Sequence, residues 1–449
     1  MRPRTPGRAC LRGRVPVMAD QGAGALISCH ECDRLHRREP IPARARADCR
    51  RCGAELYRHV PGSLDRTLAC HLSALVLLLI SVSYPFLGMK IGGLVQQNHV
   101  YSGALTLWRL GMGELGLVVA LTSILFPVLT VLGMMYVLLP VRFGFVPTGI
   151  GPVYRLVREL EPWSMVGVFL IGTLISVVKL KSMAAVLPGI GLFAFAGALV
   201  MLSAARASFE PSALWDRVPP RSLRESDLRP GTRVLACHTC AFLAHEDAQH
   251  RPCPRCGTPL HHRRENSIAR SWALVLSASL LMIPAQLYPV MTVSQLGRGS
   301  PDTILSGVVK LLANGYLGLA AIVFVASIVV PVAKLVALVF LLRTVEKGSA
   351  WRPRDRTFLY RITEIVGAWS MVDVFLVGLL SGLVSLNLLA NIEPGIGATF
   401  FGAVVILTMF AAHSFDPRLI WDEAGHNPAP LRPGVEGAGA NAREEAAVA

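Results

Sequence analysis

Charge is what this chain has least of. Only 16% of its 449 residues are Asp, Glu, Lys or Arg, against about a quarter in soluble globular proteins. A water-soluble surface of ordinary composition is thereby excluded. A second absence lies at the start. Residues 1–25 hold Arg2, Arg4, Arg8, Arg12 and Arg14 but no apolar core, so they do not read as a signal peptide. They read as a disordered basic arm, with Met18 as an alternative translation start. A third absence is the phosphate-binding pattern Gly-x-x-x-x-Gly-Lys-Ser/Thr, so direct coupling to ATP by this chain is not expected.

What is present is apolar. Hydrophobic residues make up 53% and the mean hydropathy is +0.50. The runs Leu72–Met89, Leu115–Val141, Ser182–Ala205 and Ser271–Leu296 carry no Asp, Glu, Lys or Arg. Trp163–Val178 is a shorter run of the same kind. Leu311–Leu342 and Ile365–Ile392 carry one such charge each, and Pro394–Ser414 carries only His413. A membrane-spanning helix needs about 20 predominantly apolar residues. The pattern predicts eight spans in two groups of four.

The net charge is +15, but the basic residues lie mostly in the N-terminal arm and the connections, where the positive-inside rule places them. No nucleic-acid partner is expected. Both termini are expected in the cytosol, with Lys179 and Lys181 in an outer turn.

The chain repeats itself. Cys29-His-Glu-Cys32 is echoed by Cys237-His-Thr-Cys240, and Cys49-Arg-Arg-Cys52-Gly53 by Cys253-Pro-Arg-Cys256-Gly257. Tyr84-Pro85 answers Tyr288-Pro289, Ser102-Gly103 answers Ser306-Gly307, and Pro127-Val128 answers Pro331-Val332. Trp163-Ser-Met-Val166 returns as Trp369-Ser-Met-Val372, Pro188-Gly-Ile-Gly191 as Pro394-Gly-Ile-Gly397, and Ser208-Phe-Glu-Pro211 as Ser414-Phe-Asp-Pro417. An even number of spans per half makes the repeats parallel, since inverted repeats need an odd number. Pro127 and Pro331 are expected to kink the second span of each half. The freed carbonyl must find a partner, because lipid cannot supply one. The Tyr-Pro pairs read as interfacial anchors, and the Pro-Gly-Ile-Gly pairs as turns into the fourth spans.

The expected organisation is a basic arm (1–25), a first zinc ribbon (26–62), a four-span bundle (63–216), a linker with a second ribbon (217–264), a second four-span bundle (265–423) and a disordered tail (424–449). The fold class is an all-α polytopic membrane protein.

Eight of the ten cysteines form two sets of paired Cys-x-x-Cys: Cys29, Cys32, Cys49 and Cys52, then Cys237, Cys240, Cys253 and Cys256. Two such knuckles complete a tetrahedral four-cysteine shell. Zinc, two per chain and structural, is the expected metal. Iron is the alternative, which the four-cysteine set itself does not distinguish. A closed shell leaves no open coordination position, so no catalytic residue is assigned. Cys10 and Cys70 receive no role.

Lys334 and Asp373 are the informative charges inside the spans. Lys334 sits about eight residues from the cytosolic end of span six, roughly 12 Å deep, and Asp373 about six residues into span seven, roughly 9 Å. Such charges are costly in lipid and mark a pathway or a pair. Their first-half counterparts are Thr130 and Gly167, so the scaffold itself does not require them. They are expected to form a polar transport site. The competing reading is a structural ion pair, or Lys334 snorkelling to the headgroups. Lys179 ranks behind them.

The tandem Cys-x-x-Cys ribbons, the two four-span units and the repeated Trp-Ser-Met-Val-x-Val-Phe-Leu are similar to the paraquat-inducible protein A family, over roughly residues 25–423. The resemblance implies an inner-membrane protein of Gram-negative bacteria and a tetraspanin-like arrangement of each four-span unit. It also implies a periplasmic MCE-domain tunnel partner and a role in moving phospholipid between inner and outer membranes. The family pattern commonly places an acid after Trp-Ser-Met-x in both halves. Gly167 departs from that in the first. Two rival readings are a redox protein exchanging electrons with quinone through an iron centre held by four cysteines, and a non-transporting anchor for the tunnel.

Overall fold

The computed structural model describes residues 25–91, 94–180, 185–224, 227, 234–295, 298–313, 315, 317–383, 390–422 and 439–441. The expected basic arm and most of the expected tail lie outside these residues. Gly439–Asn441, within that tail, pairs with a strand of the first Cys module.

That module consists of β1 (Leu26–Ser28), β2 (Leu35–Arg37), β3 (Arg46–Asp48) and β4 (Glu55–Arg58), paired as two antiparallel hairpins. Its counterpart in the second half retains one named hairpin, β8 (Val234–Ala236) with β9 (Leu243–His245).

Eight helical segments among the described residues are long and apolar enough to cross a membrane. In the first half they are α1 (Ser63–Ser83), the segment from α3 (Gly113–Ala120) into α4 (Phe126–Arg142), the segment from α5 (Ile150–Leu160) into α6 (Val166–Leu180), and α7 (Ile190–Ser208). In the second half they are α9 (Ser267–Leu287), α11 (Leu317–Phe324) into α12 (Val330–Glu346), α13 (Pro353–Gly367) into α14 (Val372–Leu383), and α15 (Ile396–Ser414).

Both repeated prolines follow a π-helical turn, Leu121–Leu125 before Pro127 and Val325–Val329 before Pro331. Proline lacks an N–H, and its ring collides with the carbonyl four residues back. Widening the helix by one residue per turn moves that carbonyl aside. In the first half the Thr122 carbonyl accepts the Met165 N–H at 3.2 Å. Met165 belongs to the Trp-Ser-Met-Val motif, where span three is interrupted by a 3-10 turn at Glu161–Trp163. In the first half the two motifs therefore work as one device: a break in span three supplies a donor to a bulge in span two.

The Pro-Gly-Ile-Gly motifs are close-approach sites as well as turns. Gly191 N–H donates to the Pro85 carbonyl at 2.9 Å, and Gly397 N–H to Pro289 at 3.0 Å. A Cβ at Gly189 would lie 2.1 Å from the Pro85 carbonyl oxygen, so only glycine fits. The Tyr-Pro motif at the end of span one thus receives the start of span four.

The Ser-Phe-Glu/Asp-Pro repeats close the opposite end. Glu210 N–H donates to Ser63 Oγ, and Ser63 Oγ–H to the Ser208 carbonyl. Asp416, Ser267 and Ser414 repeat the arrangement.

Sequence reading did not anticipate the two small antiparallel sheets at the far end. One contains β5 (Leu87–Ile91), β6 (Leu94–Asn98) and β7 (Ala185–Pro188). The other contains β10 (Met291–Gln295), β11 (Arg298–Asp302) and β12 (Ala390–Pro394). The central strand of each follows span one directly.

Span seven joins the halves. Its apolar window is 76% buried, against 33% for its counterpart in the first half. Helix α14 packs on α2 (Ser102–Arg109), α3 and α6 of the first half. Glycine makes that approach possible: a Cβ at Gly103 would lie 2.6 Å from the Gly378 carbonyl oxygen. Phe169 and Phe375 meet edge to face at 5.4 Å across the same junction.

Candidate metal centres and a cavity between the halves

Each Cys set converges on one point and is buried. Cys29 and Cys52 Sγ lie 3.4 Å apart, Cys32 and Cys49 3.5 Å. In the second set Cys237 and Cys256 lie 3.5 Å apart, Cys240 and Cys253 3.7 Å. Metal–sulfur bonds of about 2.3 Å at the tetrahedral angle separate neighbouring sulfurs by about 3.8 Å. A disulfide would bring them to about 2.05 Å. The donor sets therefore fit a tetrahedral ion, with all four positions filled by sulfur.

Backbone conformation builds the knuckles. The residue after the second Cys of every knuckle is left-handed: Asp33, Gly53, Ala241 and Gly257, with φ of 58°, 73°, 53° and 73°. Each donates its N–H back to the carbonyl of the knuckle's first Cys, at 2.8–3.0 Å. Sequence reasoning identified the eight cysteines and the two glycines. It missed the groups around the sulfurs. His36, fully buried, places Nε2 3.2 Å from Cys49 Sγ, and the Thr258 hydroxyl lies 3.2 Å from Cys256 Sγ. Such contacts orient ligands and tune their basicity.

The Cys cores dock crosswise. The first packs in one apolar cluster with Val275, Leu338, Tyr360 and Trp421 of the second half. The second packs with Leu64, Val137, Tyr154 and Trp215 of the first half. Arg361, on α13, donates to Glu31 Oε1 and Oε2 at 2.8 and 3.0 Å and to the Cys52 carbonyl at 3.1 Å. Arg263 joins Asp33 of the first module to Asp422 of the second half, at 2.8 and 2.6 Å. Arg418 reaches both modules at equivalent residues, the His30 carbonyl at 3.2 Å and His238 Nδ1 at 3.5 Å. Burial, aided by Arg418, pushes His238 down to about 4. The ring is thus neutral near pH 7 and can accept from the guanidinium.

A cavity of about 300 Å³ lies where the halves meet, on the side of the Cys modules. Its apolar lining includes Met165, Leu199, Leu202 and Met409, and its polar lining includes Arg206, Lys334, Glu364 and His413. Arg206 Nε is paired with Glu161 at 3.2 Å. Lys334 is 4% exposed, and among the described residues its ammonium has no hydrogen-bond partner. The ammonium lies against Gly367, where a Cβ would come within 2.7 Å of Nζ.

Of the charged residues singled out in the spans, Lys334 lines this cavity and Asp373 does not. Asp373 is six residues beyond Gly367 along span seven, across the 3-10 turn Ala368–Met371 and so about 11 Å further from the Cys modules, and the Lys334 ammonium is not hydrogen-bonded to it. Lys179 is the penultimate residue of α6. It stands about 18 Å along the helix from the cavity-lining turn at Val166–Val168, and its side chain lies outside what the structure describes. Gly167, the counterpart of Asp373, does line the cavity, and a Cβ there would lie 3.3 Å from Leu199 Cδ1. Sequence reasoning did not single out Glu364, His413 or Arg206. They stand near span ends, where charge is ordinary, and only packing between halves brings them together.

The family profile of paraquat-inducible protein A matches twice, over residues 64–219 and 268–425. The chain is 33% identical over 412 residues to intermembrane transport protein PqiA of Escherichia coli strain K12, covering 89% of this chain and 96% of that one. It is 31% identical over 403 residues to lipophilic envelope-spanning tunnel protein A of the same strain, covering 89% and 92%. A probable intermembrane transport protein of Haemophilus influenzae is 27% identical over 407 residues, covering 88% and 95%. No solved structure matches. With both halves matched and a third of the residues shared across nearly its whole length, the chain belongs to the paraquat-inducible protein A family.

Proposed function

We propose that this chain is the inner-membrane component of an intermembrane lipid transport system. It passes phospholipid between the membrane and a periplasmic MCE-domain tunnel protein, with both termini in the cytosol. Its relatives are named for intermembrane transport, and eight apolar segments suit a multi-pass protein. The observation that carries the reading is the cavity between the halves. It combines apolar walls with the buried ammonium of Lys334, which has no hydrogen-bond partner among the described residues. A buried cation without a partner is costly, and an anionic headgroup would compensate it. About 300 Å³ is at the small end of ligand pockets. It holds a headgroup, with the acyl chains left in the membrane.

In this reading each half is a four-span bundle opened by a zinc ribbon, the two bundles are parallel repeats, and zinc is structural, two ions per chain. Asp373 and Lys334 are the transport residues, acting at different depths. Lys179 is peripheral to them. The test is transfer of labelled phospholipid from proteoliposomes holding the purified chain to a soluble MCE-domain acceptor. Transfer well above that from protein-free liposomes is expected. Equal transfer from both would refute the function.

A further inference from the structure

Outside the two Cys sets, one more cluster among the described residues gathers metal-ligating side chains: His250, His261 and Glu265. Their ligand atoms all lie within 4.8 Å of one another. His250 and His261 flank the second knuckle of the second Cys module. The two arms of that hairpin pair through His250 N–H to the Leu260 carbonyl at 2.8 Å and Leu260 N–H to the Arg251 carbonyl at 3.0 Å. A Pro252–Pro259 bridge continues the pairing. The knuckle thus fixes both histidines on one rigid frame.

Three details fit an ion. Two metal bonds of about 2.1 Å to nitrogen and oxygen, at the tetrahedral angle, separate the donor atoms by about 3.4 Å. His261 Nδ1 and Glu265 Oε1 stand 3.5 Å apart. His261 Nδ1 is buried yet has no hydrogen-bond partner among the described residues. His250 holds a left-handed backbone, φ 64°, which is costly for a residue with a Cβ. That conformation leaves its ring 5.3 Å from the His261 ring, edge to face.

We propose that His250, His261 and Glu265 form a third metal site, for a borderline divalent cation such as Zn2+, Co2+ or Ni2+. Three protein ligands leave a fourth position for water. Two of the ligands are exposed, so the ion exchanges readily, unlike one enclosed by four buried thiolates. The site also has a position from which to act. Arg263, between His261 and Glu265, joins the first Cys module to the second half. An ion holding 261 and 265 to the knuckle would hold that arginine in its clamp.

The experiment uses full-length protein carrying a tag without histidine, with both Cys sets loaded with zinc. Titration with Co2+ is expected to fill one further site per chain. It should give weak visible d–d bands without the near-ultraviolet thiolate charge-transfer band that cobalt bound by four cysteines would show. The variants His261→Ala and Glu265→Gln should weaken that equivalent at least tenfold while both zinc ions remain bound. Retained zinc shows that the variants fold. Absence of a further cobalt equivalent in the wild type would overturn the proposal. So would an equivalent left unchanged in both variants, or one with thiolate bands.

Discussion

Arg361 of span seven forks onto Glu31, the residue between His30 and Cys32 of the first Cys module, with Nε donating to Oε1 at 2.8 Å and Nη2 to Oε2 at 2.5 Å. The module that opens the first half is therefore anchored on the second. Glu31 is nearly buried and Arg361 partly so. A bidentate, charge-assisted pair of this kind is among the stronger polar contacts, and removing one partner strands the other. Arg361→Ala should cost about 1–3 kcal/mol, read as a lower melting temperature in detergent. In a double-mutant cycle with Glu31→Ala the losses should be less than additive. Additive losses would mean that the pair does not couple the module to the helix.

Metal removal follows from the same geometry. Each Cys module is too small to hold a core of its own, and its sulfurs belong to the clusters on which the opposite half packs. A strong chelator should expose both modules to limited proteolysis and lower the melting temperature of the spans. Cutting confined to the modules, with the spans unaffected, would show that crosswise docking contributes little.

The knuckles make a sharper point. Ala241 occupies the left-handed position that Gly257 fills in the companion knuckle. Glycine is free there and alanine is not. Ala241→Gly should stabilise by up to about 1 kcal/mol, and Gly257→Ala should destabilise by about the same. Chelator-induced unfolding of the two variants against wild type measures both. Equal effects of one sign would contradict the conformational account.

Glu210 supplies a pH dependence. Burial raises its carboxyl above the usual value, against the opposing hydrogen bonds from Ser212 and the Arg58 N–H. A raised folded-state value means that the folded protein holds this proton more tightly than the unfolded chain does. The contribution is full below the unfolded value of about 4.3 and is lost as pH rises through the folded value. Glu210→Gln should remove that slope and keep one acceptor for the cap. Glu210→Ala should cost about 1–2 kcal/mol by uncapping the short helix Pro211–Trp215. Melting temperatures from pH 4 upward distinguish these outcomes from an unchanged slope in Glu210→Gln.

Much of this architecture was legible in the residues, for physical reasons that also mark where legibility stops. Span positions follow from charge-free length, and the metal sets from ligand type and spacing, both local properties. Pro127 announced a freed carbonyl, but that Met165 would meet it depended on packing between spans. Lys334 stood out because a charge in an apolar run is costly. Its companions Glu364, His413 and Arg206 did not, because near span ends they cost little. Similar depth in two spans suggested Lys334 and Asp373 as neighbours. The Lys334 ammonium lies against Gly367, a placement set by packing that depth along a span does not give. The crosswise docking of those modules left no trace in the order of segments, since order along the chain does not state which half a module rests on.

The central claim, that the cavity between the halves receives a phospholipid headgroup at Lys334, is tested most directly by the rate of phospholipid transfer for Lys334→Met. That variant keeps the apolar stem and removes the charge. Measured at equal protein and metal content, the rate should fall at least tenfold, with partial recovery in Lys334→Arg. A wild-type rate in Lys334→Met would contradict the claim and leave Lys334 a structural charge.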